Sequence, residues 1–268
     1  MHASLIIVIL VLPLLVGLWV QHRLIQRSPD SGMGGLSVSD LIEPVRTLAV
    51  LLLAFVLVSA YSSYDTASQQ AAAEAGAVQA MAESAALLTP ESRRDVLGPL
   101  QCYARAVAGP DWRAQAEGSA LSPIADAASH GIDAALARAR SDERNVAVVE
   151  PITLENNRRI EARILRAEEG QPAVPGQAWT LMLVTVAITV GVAALLGHPP
   201  VHRRLQLAVL VGTVVVYGLS LLIIQDLDTP FTGPAKIEPT AMLDVEQRIA
   251  ALPDGTAVLP CDGQGRLL

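Results

Sequence analysis

The chain has 268 residues, of which 51% are hydrophobic and 17% are charged, whereas an ordinary soluble domain carries about 25% charged residues. The formal net charge of −7 argues against a basic face for nucleic acid and against a polybasic membrane-surface anchor. We therefore expect long stretches of the chain to avoid water, with a lipid bilayer as a partner and no nucleic acid.

Four stretches are long and apolar enough to cross a bilayer, whose hydrocarbon core requires roughly 20 residues of helix. Backbone amides find no water inside that core, so each stretch must be helical. The first stretch has its arginines after the apolar run, which is typical of an uncleaved anchor rather than a secretory signal. The fold class predicted is therefore all-α, in a multi-pass protein of the cell (inner) membrane. The predicted transmembrane helices are residues 1–22, 47–64, 177–197 and 205–225.

The distribution of arginines predicts the orientation. The loop 23–46 and the link 198–204 share five arginines, and the positive-inside rule places both in the cytoplasm. Residues 65–176 and the tail 226–268 then lie outside the cytoplasm. A second group of arginines, within residues 158–166, favours the opposite orientation, but it belongs to a long segment where the rule is weak.

Residues 65–176 are predicted to form a helical bundle domain inserted between spans two and three. An alanine-rich run continues the helix of span two out of the membrane. Thr89 and Pro90 predict a new helix, with the threonine as N-cap and the proline in the first turn, and Gly109-Pro110 predicts its end. The other helices expected in this domain cover residues 63–88, 122–140 and 151–168.

The tail, residues 226–268, is predicted to contain a helix over residues 241–252 and a small hairpin in its last dozen residues. The chain has two cysteines, Cys102 and Cys261, and the predicted orientation places both outside the cytoplasm. One hypothesis is a disulfide between them, since disulfides form in oxidising compartments. The alternative is two unpaired thiols, with Cys102 as a small buried apolar residue.

The sequence contains no recognisable catalytic or cofactor motif. His198 and His202 have the spacing of two metal ligands, but Pro199-Pro200 between them prevents the helix that would place both on one face. No nucleophile elbow, kinase signature or zinc motif occurs in the sequence. We therefore expect no metal, no cofactor and no enzymatic activity.

The predicted spans contain hydroxyl groups but no charged side chains, which argues against a proton-coupled transporter. Two interpretations remain open: close helix packing through small and hydroxyl side chains, which we prefer, and a pore lined by hydroxyls. The hydroxyl residues are Thr185 and Thr189 in span three, and Thr213, Tyr217 and Ser220 in span four. The small residues four positions apart are Ala187 and Gly191, and Ala208 and Gly212.

A series of motifs follows one order along nearly the whole chain, to about Leu252. Span two runs directly into Tyr61-Ser-Ser-Tyr64-Asp65. The segment Leu227-Asp228-Thr-Pro230-Phe231-Thr-Gly233, the most distinctive motif, follows span four. In this order the motifs resemble the bestrophin-like domain family, bacterial multi-pass membrane proteins of unassigned function. The motif residues for which the resemblance implies a structural or gating role are Glu74, Tyr103, Trp112, Asp228, Pro230, Phe231 and Gly233.

The resemblance implies kinship with anion channels. Span two has a single phenylalanine, Phe55, where a bestrophin pore helix has an aromatic-rich neck. The sequence-based prediction is therefore a non-enzymatic membrane sensor or scaffold that assembles as a homo-oligomer, with span two transmitting a displacement to the domain. The alternative is a bestrophin-like anion channel or pore, for which an anion is the candidate ligand.

Two of the motif positions have open interpretations. The segment 226–233 is either a connector that docks the domain, which we prefer, or a cation or gating contact. Glu74 is either a carboxylate on the helix surface or at a bundle interface, which we prefer, or part of a ligand site.

Overall fold

The computed structural model describes residues 3–25, 38–119, 121–196, 203–252 and 260–268. His198, His202 and the start of the predicted terminal hairpin lie outside these residues. Within the described ranges the chain forms nine α-helices and one π-helix, which confirms the all-α class. The helices are α1 (Ala3–Ile25), α2 (Val38–Ala85), α3 (Pro90–Ala106), the π-helix (Val107–Asp111), α4 (Trp112–Ala116), α5 (Pro123–Arg140), α6 (Val146–Glu169), α7 (Gly176–Leu196), α8 (Arg203–Leu227) and α9 (Thr240–Ala251).

Among the described residues, four helices are long and apolar enough to cross a membrane, which agrees with the predicted number of spans. The stretches lie in α1, α2, α7 and α8, and cover Ile6–Arg23, Glu43–Ala85, Gly176–Leu195 and Leu207–Leu227. Helix α2 begins earlier than the predicted span and continues through the alanine-rich run to Ala85, as the sequence indicated.

The chain divides into two compact units. The membrane unit comprises residues 1–62 and 172–228, and the helical domain comprises residues 63–171 and 229–268. The tail after residue 228 therefore belongs to the same unit as helices α3 to α6.

In the membrane unit, α1 packs closely against α7. A Cβ atom on Gly17 of α1 would meet the carbonyl oxygen of Gly191 and lie 2.8 Å from the Cβ of Ala194, and one on Gly191 would lie 3.3 Å from the Cβ of Pro13. The glycines thus allow the two backbones to approach each other, as is usual for helix pairs in membranes.

In the helical domain, α3 packs against α5 and α9 and supplies much of the apolar core. Ser122 caps α5, since its hydroxyl oxygen accepts a hydrogen bond from the backbone N–H of Ile124 at 3.3 Å. Helix α3 begins at Pro90 with Thr89 as its N-cap residue, as predicted, but the Thr89 side chain makes no capping hydrogen bond. Instead, Asn145 accepts a bond from the Thr89 N–H at 3.0 Å and donates one to its hydroxyl at 3.2 Å.

Two helix boundaries predicted from prolines are wrong. The chain does not end its helix at Gly109-Pro110 but continues through the π-helix into α4. A π turn is wider than an α turn and accommodates a proline, whose missing N–H would break a regular α-helical ladder. Likewise, α6 begins at Val146 and passes through Pro151.

Candidate functional site

The most unusual feature of the helical domain is a row of buried arginines on α6. Arg159, Arg163 and Arg166 are four and three positions apart, so they lie on one face of the helix. Their exposed fractions are 0%, 7% and 0%. A buried guanidinium is costly unless it is paired and hydrogen-bonded, so the partners of these arginines define the site.

Arg166 is held by groups from three other elements. Its Nε donates to Oε2 of Glu74 on α2 at 2.7 Å, and its Nη2 donates to Oδ2 of Asp111 at 2.9 Å. Its Nη1 donates to Oε1 of Gln115 on α4. The guanidinium also lies 4.9 Å from the centroid of the Trp112 ring. Arg166 therefore ties α2, the π-helix and α4 to α6.

Asp111, the last residue of the π-helix, bridges two arginines. Its Oδ1 accepts a hydrogen bond from Nη2 of Arg163 at 2.9 Å and another from the backbone N–H of Ser122 at 2.7 Å. Arg163 also donates from Nη1 to Oδ1 of Asp126 at 2.6 Å. Asp111 is fully buried, whereas the Asp126 side chain is 51% exposed.

Tyr103 completes the network from α3. Its hydroxyl donates to Oε1 of Glu74 at 2.5 Å, and the guanidinium of Arg159 lies 4.2 Å from its ring centroid. Arg159 donates to neutral oxygens: to Oδ1 of Asn156 at 3.0 and 2.8 Å, and to the hydroxyl of Ser129 at 2.8 Å.

The surroundings shift the pKa of three groups in this network, the Tyr103 hydroxyl, the Asp111 carboxyl and the Arg166 guanidinium. Burial and the charge of Glu74 raise the pKa of the Tyr103 hydroxyl, which therefore stays protonated. Burial acts to raise the pKa of Asp111, but the hydrogen bond and charge of Arg163 and the charge of Arg166 outweigh it and lower that pKa. Burial opposes the charge of Arg166, yet Glu74 and Asp111 raise its pKa. The network therefore has the properties of a fixed scaffold rather than a proton relay.

Phe231, in the motif that follows α8, lies against Trp112 in the helical domain. Phe231 meets the Trp112 ring edge-on, with 5.2 Å between ring centroids. Nε1 of Trp112 donates to the carbonyl of Ile237 at 3.0 Å, and the N–H of Ile237 donates to the carbonyl of Pro230 at 2.8 Å. Gly233 has a φ of +80°, a conformation that favours glycine. The motif thus forms a compact turn that covers one side of Trp112.

Asp228, in the membrane unit, uses both carboxylate oxygens on protein donors. Oδ1 accepts from the backbone N–H of Val174 at 2.8 Å, and Oδ2 accepts from Nε1 of Trp179 at 3.2 Å. The carboxylate therefore fastens the end of α8 to the start of α7.

The structure brings together some of the residues singled out from the sequence. Glu74, Tyr103 and Trp112 meet around Arg166, whereas Asp228 lies in the other unit. Sequence reasoning missed Asp111, Gln115 and the role of the arginines on α6. The spacing of the arginines is the signal that the sequence offers, but on the sequence alone these residues bear only on the orientation.

Several hydroxyls on α7 and α8 bond the backbone of their own helices. Thr189 donates to the carbonyl of Thr185 at 2.7 Å, Thr213 to Val209 at 2.9 Å, and Ser220 to Val216 at 2.9 Å. Such bonds satisfy the hydroxyl within a bilayer. They are compatible with both helix packing and a pore lining.

The helical domain also contains a disulfide. It joins Cys102 on α3 to Cys261 in the tail, whose Cα atoms are 5.8 Å apart.

Within the described part of the chain, no group of three or more His, Cys, Asp or Glu side chains is placed to hold a metal ion.

Comparison with known proteins points to one family. The model of the Bestrophin-like domain matches residues 8–242. No curated protein matches the sequence.

Solved structures show the same fold. A mutant of a bacterial bestrophin homologue from Klebsiella pneumoniae matches with 14% identity and a TM-score of 0.73, over 94% of this chain and 99% of that chain. Another structure of such a homologue from Klebsiella pneumoniae matches with 13% identity and a TM-score of 0.69, over 91% and 97%. A protein described only as a membrane protein matches with 13% identity and a TM-score of 0.72, over 98% and 100%.

Proposed function

The chain belongs to the bestrophin-like domain family, and on that premise we propose that it assembles as a homo-oligomeric membrane channel that conducts anions. The sequence alone favours a sensor or scaffold, with the channel as the alternative. Family membership reverses this order, because the family name implies kinship with anion channels and the match covers most of the chain. The single observation that carries the proposal is this match over residues 8–242.

The uncovered face of α2 supports the proposal. Leu51, Phe55 and Val58 lie on one side of the helix with exposed fractions of 62%, 74% and 67%, whereas Ala49 and Ala60 are fully buried. An apolar face that the chain leaves uncovered is available to lipid or to a pore formed by several copies. We place the pore along this face, because span two corresponds to the pore helix of bestrophins in the resemblance.

The chemistry of this face fits a hydrophobic constriction. No charged side chain lies between Thr47 and Tyr64, so a pore along α2 has no fixed charge from α2 over this stretch. Hydrophobic constrictions control conduction through wetting and dewetting. Phe55 is the largest side chain on the face, and it is therefore the residue expected to set the width.

Bilayer recordings test the channel directly. The purified protein is inserted into planar bilayers under a potassium chloride gradient, and the reversal potential is measured. We expect it near the equilibrium potential of chloride. A reversal potential near that of potassium contradicts anion conduction. Absence of any conductance contradicts the channel proposal and favours the alternative, a sensor or scaffold.

A matched pair of variants tests the placement of the pore. Phe55→Ala is expected to change the unitary conductance, because it widens the proposed constriction. Leu219→Ala on α8, a control that is 55% exposed in this chain, is expected to leave the conductance unchanged. Equal effects would remove α2 from the pore. Light scattering in mild detergent must also show an oligomer, and a monomer contradicts the assembly.

A further inference from the structure

The helical domain contains an open cleft of about 570 Å³ beside Trp112. Three stretches of chain form its walls: the end of α3 with the π-helix and α4, the segment from Phe231 to Pro239, and Gly263-Gln264 in the tail. Its volume is in the range of small-molecule sites, about 300–1,000 Å³. The cleft shares Trp112 with the buried network, but none of the three buried arginines of α6 lines it.

The charge of the cleft is opposite to that of the domain around it. Arg105, Arg113 and Lys236 line the cleft together with one acid, Glu238. The helical domain as a whole has 21 acidic and 14 basic residues. A cleft lined by one sign of charge focuses the field and concentrates ligands of the opposite sign. This contrast favours an anionic ligand.

Arg113 is the cation best placed to bind a ligand. Its Nη2 donates to Oε1 of Gln264 at 3.2 Å, and its Nε donates to the carbonyl of Gly109 at 3.4 Å, so both partners are neutral. Arg105, in contrast, is already paired, since its Nε lies 2.6 Å from Oε1 of Glu246. Among the described residues Arg113 thus bonds only neutral groups, and such a guanidinium keeps its charge available for a carboxylate, which it binds with two parallel hydrogen bonds.

Lys236 supplies a second positive charge to the same cleft. Its Nζ lies 3.6 Å from Oε1 of Glu238, and both side chains are more than half exposed, at 53% and 59%. An ion pair this exposed contributes little free energy, about 0–1 kcal/mol, and it therefore offers little resistance to a competing anion.

Apart from Gln264, the remaining side chains of the lining are mostly apolar, which favours an organic ligand over an inorganic one. Pro110, Ala116 and Ile237 line the cleft beside Trp112. Small-molecule sites combine such an apolar lining with a few placed polar groups. We propose that the cleft binds a small organic carboxylate, whose charged group bonds Arg113 and whose apolar body lies against the Trp112 side.

Calorimetry on the full-length protein in detergent tests this proposal with benzoate as the probe. Benzamide is the uncharged control of the same shape, and inorganic phosphate is the control without an apolar body. We expect saturable binding of one benzoate per chain and binding of benzamide weaker by about tenfold or more, because a charge-assisted hydrogen bond is lost. A benzamide affinity equal to that of benzoate would contradict recognition of the carboxylate charge. A phosphate affinity equal to or higher than that of benzoate would contradict the preference for an organic ligand.

A matched pair of arginine variants assigns the binding to this cleft. In Arg94, as in Arg113, the Nε donates to the carbonyl four residues earlier, at 3.2 Å to Pro90, but Arg94 lies outside the cleft lining. We expect Arg113→Gln to weaken benzoate binding by about tenfold and Arg94→Gln to leave it unchanged, with equal unfolding temperatures. Equal affinities in the two variants overturn the site. Binding is measured without current, so the result does not depend on whether the protein conducts.

Discussion

At the scale of single residues, Asp111 is the carboxylate on which the buried network depends most. It accepts hydrogen bonds from Arg163 and Arg166 and from the backbone of Ser122, and it is fully buried. Glu74 serves only one of these arginines. The charges of two buried guanidinium groups therefore depend on Asp111 for compensation.

We predict that Asp111→Asn strongly destabilises the protein. Removal of one partner from a buried ion pair costs about 3–5 kcal/mol, and without Asp111 the buried Arg163 and Arg166 keep only the half-exposed Asp126 and Glu74, respectively, as carboxylate partners. For a chain of this size that loss corresponds to a fall of roughly 10 °C in the unfolding temperature. Circular dichroism of the purified protein in detergent measures it.

Asp126→Asn is the control for this prediction, because Asp126 binds the same arginine, Arg163, from a half-exposed position. Exposed ion pairs contribute about 0–1 kcal/mol, so the control should retain nearly the wild-type unfolding temperature. A variant of Asp111 as stable as the variant of Asp126 would show that the network contributes little.

The stability of the protein at acidic pH should also depend on Asp111. Its pKa in the folded protein lies below the ordinary value, because Arg163 and Arg166 outweigh the effect of burial. The stabilisation that ionised Asp111 gives to the fold is therefore complete above the unfolded-state pKa of about 3.9. It is lost as the pH falls from there towards the pKa of Asp111 in the folded protein. The wild-type unfolding temperature should fall more steeply below about pH 4 than that of Asp111→Asn.

At the scale of single elements, the sequence was informative where one physical effect dominates. Charge-free apolar runs predicted four helices long enough to cross a membrane, because water is absent from the bilayer core. Local rules failed where tertiary contacts intervene. The Thr89 side chain bonds Asn145 rather than a backbone N–H of its own helix, and Pro110 is accommodated by the π-helix. A local window of sequence shows neither the contact between Thr89 and Asn145 nor the π-helix around Pro110.

The candidate sites were harder to predict than the helices for the same reason. Glu74 and Arg166 are 92 positions apart, and Arg113 and Gln264 are 151 apart. Pairing over such distances depends on the packing of whole helices, and one sequence does not specify it. The spacing of the arginines on α6 indicated a common face, but it did not indicate that the face is buried.

Close packing of α1 on α7 gives a prediction at this scale. Gly17→Ala should lower the unfolding temperature, because the added methyl meets the Gly191 carbonyl and the Ala194 side chain, and overpacking costs about 1–3 kcal/mol. Gly212→Ala on α8 is the matched control, since a Cβ there meets no described atom within 4 Å. A larger loss for Gly212 than for Gly17 would contradict this account of the packing.

At the scale of the whole molecule, two independent observations bear on its orientation. Five arginines lie in the segments 23–46 and 198–204, which by the positive-inside rule favours the cytoplasm for both. The disulfide between Cys102 and Cys261 lies in the helical domain, and disulfides persist in oxidising compartments. Both observations support our proposal that the helical domain lies outside the cytoplasm.

This orientation predicts the state of the cysteines in living cells. When intact cells are treated with a permeant alkylating reagent before lysis, Cys102 and Cys261 should remain unmodified, and reduction should then expose two thiols by mass spectrometry. Alkaline phosphatase, which is active only in an oxidising compartment, should be active when fused after Leu268 and inactive when inserted at Gly34. Two alkylated cysteines together with an inactive C-terminal fusion would place the domain in the cytoplasm. In that case the arginines of α6, which precede span three, outweigh those of the two short segments in setting the topology.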